Sequence, residues 1–544
     1  MKKRHLLRSS MVVGFFSFLG SLTGILVETS IAAKLGLSKS SDTFYVAFTV
    51  PYIITNLISA TGQFSLVPFF AAIGARRRLQ QSLKEEIDAR RRLQQSLKEE
   101  IGARHSDEEM WRGFSYAVNM VFLGLSAIAV VCAGAAPWVV RGIAPGLSSP
   151  QIELASQLGR WLFLIIIPAG VAETFRSFLL SQHRFALPSA AGLFRNFSVI
   201  AGILFGFSRY GEYSIILGYL VGYFLQLAIL GVEILISFPV RYSLTLVGTG
   251  EAFRKLRGAG MAQLGGAGLW QGVVVVERMI ASFLPPGTLT ALNYGFKVIS
   301  ALAELLAGSV GTAGLPALSR AVAHQAQSEQ RKMFRDTIEI SVVLLSPVVV
   351  FCLLLDHNII RLIFQRGNFT PDATSLMSLV FFYYSLSLLP FALLRLLTFC
   401  LFARQETKIF IRLSLFQYGL TIAFDLFYVG VLKLGARSIP LGLLTGLLVT
   451  CIRSFHRNVA GLRDALDRSL AVFTLKNVGG CVFAAISVWC LHLWIEAPRT
   501  TLDNFIYLCV LCGAGSAVFL AVLAASRAIP VAQLVEVWQS AEDA

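Results

Sequence analysis

The sequence predicts an all-α polytopic membrane protein of about fourteen transmembrane helices, and three observations predict it. Of 544 residues, 55% are hydrophobic and only 14% are charged, where an ordinary soluble domain carries about 25% charge. Mean hydropathy is +0.68. Apolar runs long enough to cross a bilayer, about 20 residues each, recur along nearly the whole length. A soluble multidomain enzyme of this size would need several charged surfaces, and the charge for them is absent. A disordered chain is excluded by the same composition.

In chain order the runs fall at 9–36, 43–73, 113–140, 152–181, 188–207, 212–237, 257–284, 288–318, 338–356, 374–402, 408–432, 437–456, 474–495 and 503–526. The first resembles a signal peptide, with Lys2, Lys3 and Arg4 before an apolar stretch. It runs past Ile31 without a cleavage site, so it reads as a retained helix. An even number of spans puts both termini on one side. Residues at span ends are counted with the loop they adjoin, and the N-terminus is set in the cytoplasm. Lys and Arg then number 32 inside and 9 outside, with 6 left within spans. That bias orients the chain with cytoplasmic termini. It also accounts for the net charge of +16 without any nucleic acid.

Two repeats organise the chain. In the inside loop 74–112, ARRRLQQSLKEEI occurs at 75–87 and again at 89–101. Its leucines share one helical face, as in an amphipathic helix or a duplicated solvated loop. A weaker repeat sets FTVPYIITNLISATGQFSLVP (48–68) against FKVISALAELLAGSVGTAGLP (296–316), at an offset of 248. It implies an N-lobe over 1–240 and a C-lobe over 241–460, each of six spans. Residues 461–544 then hold spans 13 and 14 and a cytoplasmic tail. Lobes of like orientation handle substrate in a central cavity between them.

Ionisable groups inside spans are costly and mark function by default. The candidates for a substrate cavity are Lys297, Glu28, Arg278, Arg195, Arg395 and Glu304. Glu173, Arg176, Glu233, Glu277 and Asp425 also lie within spans. Glu173 and Arg176 are i,i+3 neighbours and pair locally on a plainer reading. Lys297 and Glu304 are i,i+7 on one face. No catalytic constellation is present: the seven His are scattered, and no Walker loop occurs. The eight Cys lie in apolar runs without metal-ligand spacing, so no metal site and no cofactor is expected, and any coupling ion is left open. Glycines 258, 260, 265, 266 and 268 make span 7 a candidate bending element.

Several segments resemble the MviN/MurJ-type lipid II flippases of the multidrug/oligosaccharidyl-lipid/polysaccharide exporter superfamily. SDTFYVAFTVPYIITNLISATGQFSLVP (41–68) is similar to the family's D-A-F-x-V-A-F-x-x-P-N-L…G-A-F-S…F-V-P. ALNYGFKVISALAELLAGSVGTAGLPALSR (291–320) is similar to its Y-A-D-R-L…G-T-x-L-L-P-x-L-S, and FQRGNFT (364–370) to its F-Q-x-G-x-F-T. The resemblance spans essentially the whole chain. It implies a non-enzymatic carrier in the bacterial inner membrane that moves a polyprenyl-pyrophosphate-linked peptidoglycan precursor to the outer leaflet by alternating access. The headgroup would cross a cationic cavity and the lipid tail would ride beside spans 13 and 14. Its partners would be the lipid-linked glycan, membrane lipids and cell-wall synthesis proteins.

The departures are specific. The family's first-span S-R-x-L-G-x-x-R-D keeps only its acid, as Glu28; its paired span-2 arginines are Thr55 and Asn56 here; and its span-8 Asp-Arg is Phe296-Lys297. They leave open a carrier of another lipid-linked oligosaccharide. They also leave open a membrane scaffold that has lost the cationic site.

Overall fold

The computed structural model describes residues 2–71, 96–246, 258, 268–308, 327–404, 406–459, 468–496 and 498–526. Among them every regular element is helical. Apolar runs without charge to satisfy polar backbone elsewhere leave the helix as the one way to pair each N–H and C=O within its own segment. In chain order the first helices are α1 (Lys2–Leu35), α2 (Lys39–Thr61), α3 (Ser96–Gly134), α4 (Ala136–Ile143), α5 (Ser149–Leu164) and α6 (Ile166–Ser181). Then come α7 (Ala186–Ala201), α8 (Phe207–Tyr210), α9 (Glu212–Ser237), α10 (268–281) and α11 (Thr288–Ala303). The remainder are α12 (Gln327–Leu354), α13 (Asp356–Phe364), α14 (Pro371–Leu386), α15 (Leu388–Ala403), α16 (Thr407–Gly430), α17 (Ser438–His456), α18 (Arg468–Trp494) and α19 (Thr501–Ala525).

Twelve of the described helical segments are long and apolar enough to cross a membrane. A thirteenth arises if α14 and α15, bent by 45° at Ser387, form one span. The first part of the remaining expected span, residues 257 and 259–267, falls outside the described residues. So do most of its glycines, residues 72–95 with most of the tandem repeat, and Pro316. Wide π-turns follow three helices: Gly62–Leu66 after α2, Gly202–Gly206 after α7 and Glu304–Gly308 after α11. Many large apolar side chains point outward, such as Phe205, Ile236 and Leu475. Exposure on this scale is stable only in contact with lipid.

The chain divides into two compact units: residues 1–31 with 43–275, and residues 32–42 with 276–544. The first unit is cored by aromatic rings. Phe70, Trp111, Phe114 and Phe178 are all but fully buried, and Phe238 packs against them. The Phe114 and Phe178 ring centroids lie 4.8 Å apart. The second unit stacks Tyr294, Phe364 and Phe369 at 5.0 and 5.7 Å. It also packs Phe351 of α12 against Val488 of α18 and Leu511 of α19, so spans 13 and 14 are part of this unit's core.

The α1–α2 connection belongs to the second unit, and its contacts explain why. Asn368 donates from its backbone to the Ala33 carbonyl at 2.8 Å, and from its side chain to the Lys34 carbonyl at 2.7 Å. Asp42, 5% exposed, caps α11: its Oδ2 accepts from the Gly287 N–H at 2.6 Å. Its Oδ1 accepts from the Thr290 N–H at 2.9 Å and from the Thr290 hydroxyl at 2.6 Å. Gly287 turns with φ +85°, and its α-carbon faces the Leu37 backbone, so a side chain there would be both strained and crowded. A carboxylate at a helix N-terminus satisfies donors that the helix leaves open. Asp42→Ala is therefore expected to destabilise the purified protein by about 1–3 kcal/mol, with Asp42→Asn intermediate, read as a lowered thermal midpoint in detergent.

Candidate functional site

The ionisable groups predicted from sequence sort into separate clusters, each built within one unit. In the first unit Glu28 of α1 is 8% exposed, and the Tyr45 hydroxyl of α2 donates to its Oε2 at 2.5 Å. Tyr219 of α9 lies within electrostatic range of both Glu28 and Arg195. The Arg195 guanidinium of α7 sits 5.1 Å from the Tyr223 ring centroid and donates to the Asn196 side chain at 3.2 Å. Asn196 in turn donates to the Thr23 hydroxyl at 2.9 Å. Glu28 and Arg195 are thus brought into one network, bridged by tyrosines. The i,i+4 spacing of Tyr219 and Tyr223 was the available sequence signal for those bridges; Tyr45, seventeen residues beyond Glu28, gave none.

Glu173 and Arg176 form the local pair that their spacing suggests, at 2.8 Å. At Thr55, where the resemblance leads one to expect an arginine, the hydroxyl bonds its own helix at the Tyr52 carbonyl, 2.9 Å away.

The second unit holds the other four candidates. Arg278 of α10 donates to Asn293 Oδ1 at 3.0 Å. Asn293 stands one turn before Lys297 on α11, so these two cations lie along one stretch of the α10–α11 seam. Arg395 of α15 forms an ion pair with Glu304, the first residue of the π-turn after α11. Glu304 therefore engages α15, although it shares the register of Lys297. Lys297 is half-buried on α11.

A further pair within the second unit carries the strongest electrostatic demand. Asp425 of α16 is fully buried, and neither carboxylate oxygen has a hydrogen-bond partner. Glu277 of α10 lies within electrostatic range of it, and the buried Thr421 hydroxyl one turn away is likewise unpaired. Close helix approach creates this seat. Gly442 and Gly446 of α17 face Asp425 and Thr421, with the Asp425 and Thr421 backbone nitrogens 3.0 and 3.2 Å from where a β-carbon would stand. Any larger residue would fill the space. A buried carboxylate without donors carries a desolvation cost that some partner has to offset. The sequence shows both acids but not their convergence, because Glu277 and Asp425 are 148 positions apart.

A helical membrane protein whose two units each hold networks of ionisable groups inside spans has the build of a transporter, since such groups mark substrate and ion pathways. The model of the lipid II flippase MurJ family matches residues 31–510, and the chain belongs to that family. The lipid II flippase MurJ of Burkholderia cenocepacia is 24% identical over 500 residues, covering 89% of this chain and 90% of that protein. A probable lipid II flippase MurJ of Buchnera aphidicola subsp. Baizongia pistaciae is 22% identical over 434 residues, 78% of each chain. Among solved structures, a lipid II flippase MurJ in an inward closed conformation superposes with a TM-score of 0.74 at 16% identity. It covers 95% of this chain and 99% of its own. An inward-facing MATE multidrug transporter of the MOP superfamily gives 0.63 at 14% identity, covering 82% and 96%.

The Glu28–Tyr45 contact makes a test of the first-unit network. In a double-mutant cycle of Glu28→Gln and Tyr45→Phe, a coupling energy of about 1–2 kcal/mol is expected. Thermal unfolding of the four purified proteins measures it, and strict additivity would show the two side chains to be independent.

Proposed function

We propose that this protein translocates lipid II, a polyprenyl-pyrophosphate-linked peptidoglycan precursor, from the inner to the outer leaflet of the bacterial inner membrane by alternating access. The observation that carries the proposal is family membership over residues 31–510, which takes in both compact units. The relatives' names favour lipid II over another lipid-linked oligosaccharide and over a scaffold. No covalent bond changes in this reaction. The protein's task is to offer charge to a pyrophosphate that hydrocarbon rejects. In this reading Lys297 and Arg278 supply that charge along the α10–α11 seam, with Arg395 held in reserve by Glu304. Glu28 and Arg195 form the polar counterpart in the first unit. Both termini are cytoplasmic, as the charge bias supports. Cell-wall synthesis proteins are partners in the sense that they make and consume the cargo.

The energy source in this proposal is a cation gradient acting at Glu277 and Asp425, and the unpaired burial of Asp425 among the described residues supports the assignment. The tests are separable. In a strain depleted of its own lipid II flippase, this chain is expected to sustain growth, and Lys297→Ala to lower precursor translocation by about tenfold, a cost near 1.4 kcal/mol. Failure of the unmodified chain to sustain growth refutes the cargo; normal translocation by Lys297→Ala refutes that residue's role. Asp425→Asn is expected to fold and to abolish the dependence of translocation on the cation gradient. Unaltered gradient dependence in vesicles would remove Asp425 from the coupling step.

A further inference from the structure

The basic residues at the helix ends of the second unit are not all alike. Several guanidinium groups near helix ends among the described residues have carboxylate partners. Examples are Arg176 with Glu173 at 2.8 Å, Arg184 with Glu233 at 3.8 Å, and Arg335 with Glu339 at 2.8 Å. Where α15 ends, α16 begins and α17 ends, the sequence instead collects Arg404, Lys408, Arg412, Arg453, His456 and Arg457. Over residues 388–456 the only carboxylates are Glu406 and the distant, buried Asp425. Among the described residues none of these six basic groups forms an ion pair.

The packing brings them to one place. Gly442 faces Asp425 and Gly446 faces Thr421, an antiparallel pairing that brings the end of α17 to the start of α16. The Arg453 guanidinium of α17 lies 4.1 Å from the Phe416 ring centroid of α16, which holds it across the helix pair. Phe402 of α15 and Phe410 of α16 pack tilted by 50° with ring centroids 4.9 Å apart, joining the third helix end to the other two. Lys408, Arg412, His456 and Arg457 are exposed. The Arg404 Nε is buried without an acceptor. On α17, one and two turns before His456, Ile452, Val449 and Leu448 are exposed apolar side chains.

We propose that this end of α15, α16 and α17 binds the phosphodiester headgroup of an anionic membrane phospholipid, with an acyl chain lying along the exposed Leu448, Val449 and Ile452 of α17. Charge complementarity selects the headgroup: unpaired guanidinium and ammonium groups at a membrane boundary attract phosphate oxygens. The apolar strip on α17 selects a lipid over a soluble anion, because only a lipid delivers phosphate and hydrocarbon together. The charge bias puts this end on the cytoplasmic side, where such headgroups face it. The ligand here is a resident lipid bound to the outer surface of one unit, and the inference does not rest on which cargo is carried.

The test uses the purified full chain in zwitterionic detergent. Phosphatidylglycerol is titrated and read by thermal unfolding and by native mass spectrometry, with phosphatidylcholine and inorganic phosphate as parallel arms. Phosphatidylglycerol is expected to raise the thermal midpoint and to be retained in the spectrum, and the other two to do neither. The variant K408Q/R412Q/R457Q is expected to lose affinity by about tenfold. R209Q/K433Q/R437Q, which removes three exposed basic residues at the opposite helix ends, is expected to keep it. Arg412→Gln alone is read beside them, with about a threefold loss expected, so that misfolding of the triple variant leaves a measurement standing. Equal stabilisation by phosphate, unchanged affinity in Arg412→Gln, or equal loss in the control triple overturns the proposal.

Discussion

Charge inside hydrocarbon has to be compensated within reach of the side chain that carries it, and this requirement shapes both units. Glu28 has a tyrosine hydroxyl, Arg195 an aromatic face and an amide, and Arg395 a glutamate. Asp42 answers the open end of a helix. Each solution fixes the rotation of at least two helices, because partner and charge come from different ones. Helix packing in a lipid environment gains little from apolar burial. The polar pairs therefore specify which faces meet, and the small residues specify how closely. The Asp425 seat departs from this pattern: among the described residues its carboxylate has no hydrogen-bond partner, although Glu277, Tyr384 and an unpaired Thr421 hydroxyl are near it.

Much of the fold was legible in the sequence, because a membrane span announces itself in composition. The helices at 212–237 and 501–525 match their apolar runs closely, since nothing but a helix satisfies such a backbone in lipid. What composition hides is the interruption. The break at Ser387, the short interfacial helices α4 and α13, and the three π-turns sit inside or beside continuous apolar runs and leave hydropathy unchanged. The site was legible in part. Single ionisable residues stood out against the apolar background, as Glu28, Arg195, Lys297 and Arg395 did. Their partners are tyrosines, asparagines and threonines that look ordinary in a span, and they come from helices distant in sequence. Asp42 was visible only as part of a resembling motif, and its cap on α11 depends on a fold contact 248 residues away.

That distance equals the offset of the internal repeat, so Asp42 at the start of α2 bonds to the residue occupying its own place at the start of α11. The segment 32–42 leaves the unit that holds the rest of α1 and α2 and is built into the other. Two chain crossings, on either side of this short segment, therefore tie the units by covalent connection as well as by sequence order.

The π-turn at Glu304–Gly308 has a consequence for the charges around it. A π-turn holds one residue more than an α-turn, and the surplus can pass along a helix with the exchange of a few hydrogen bonds. If it moved one turn toward the N-terminus of α11, every side chain it passed would rotate by about 100° about the helix axis. Glu304 would then swing out of line with Arg395 and away from the face it shares with Lys297. Such a shift would give the same helix two electrostatic arrangements, one with Glu304 against Arg395 and one with the two apart. The switch between them needs only a surplus residue to migrate, with no helix unwound.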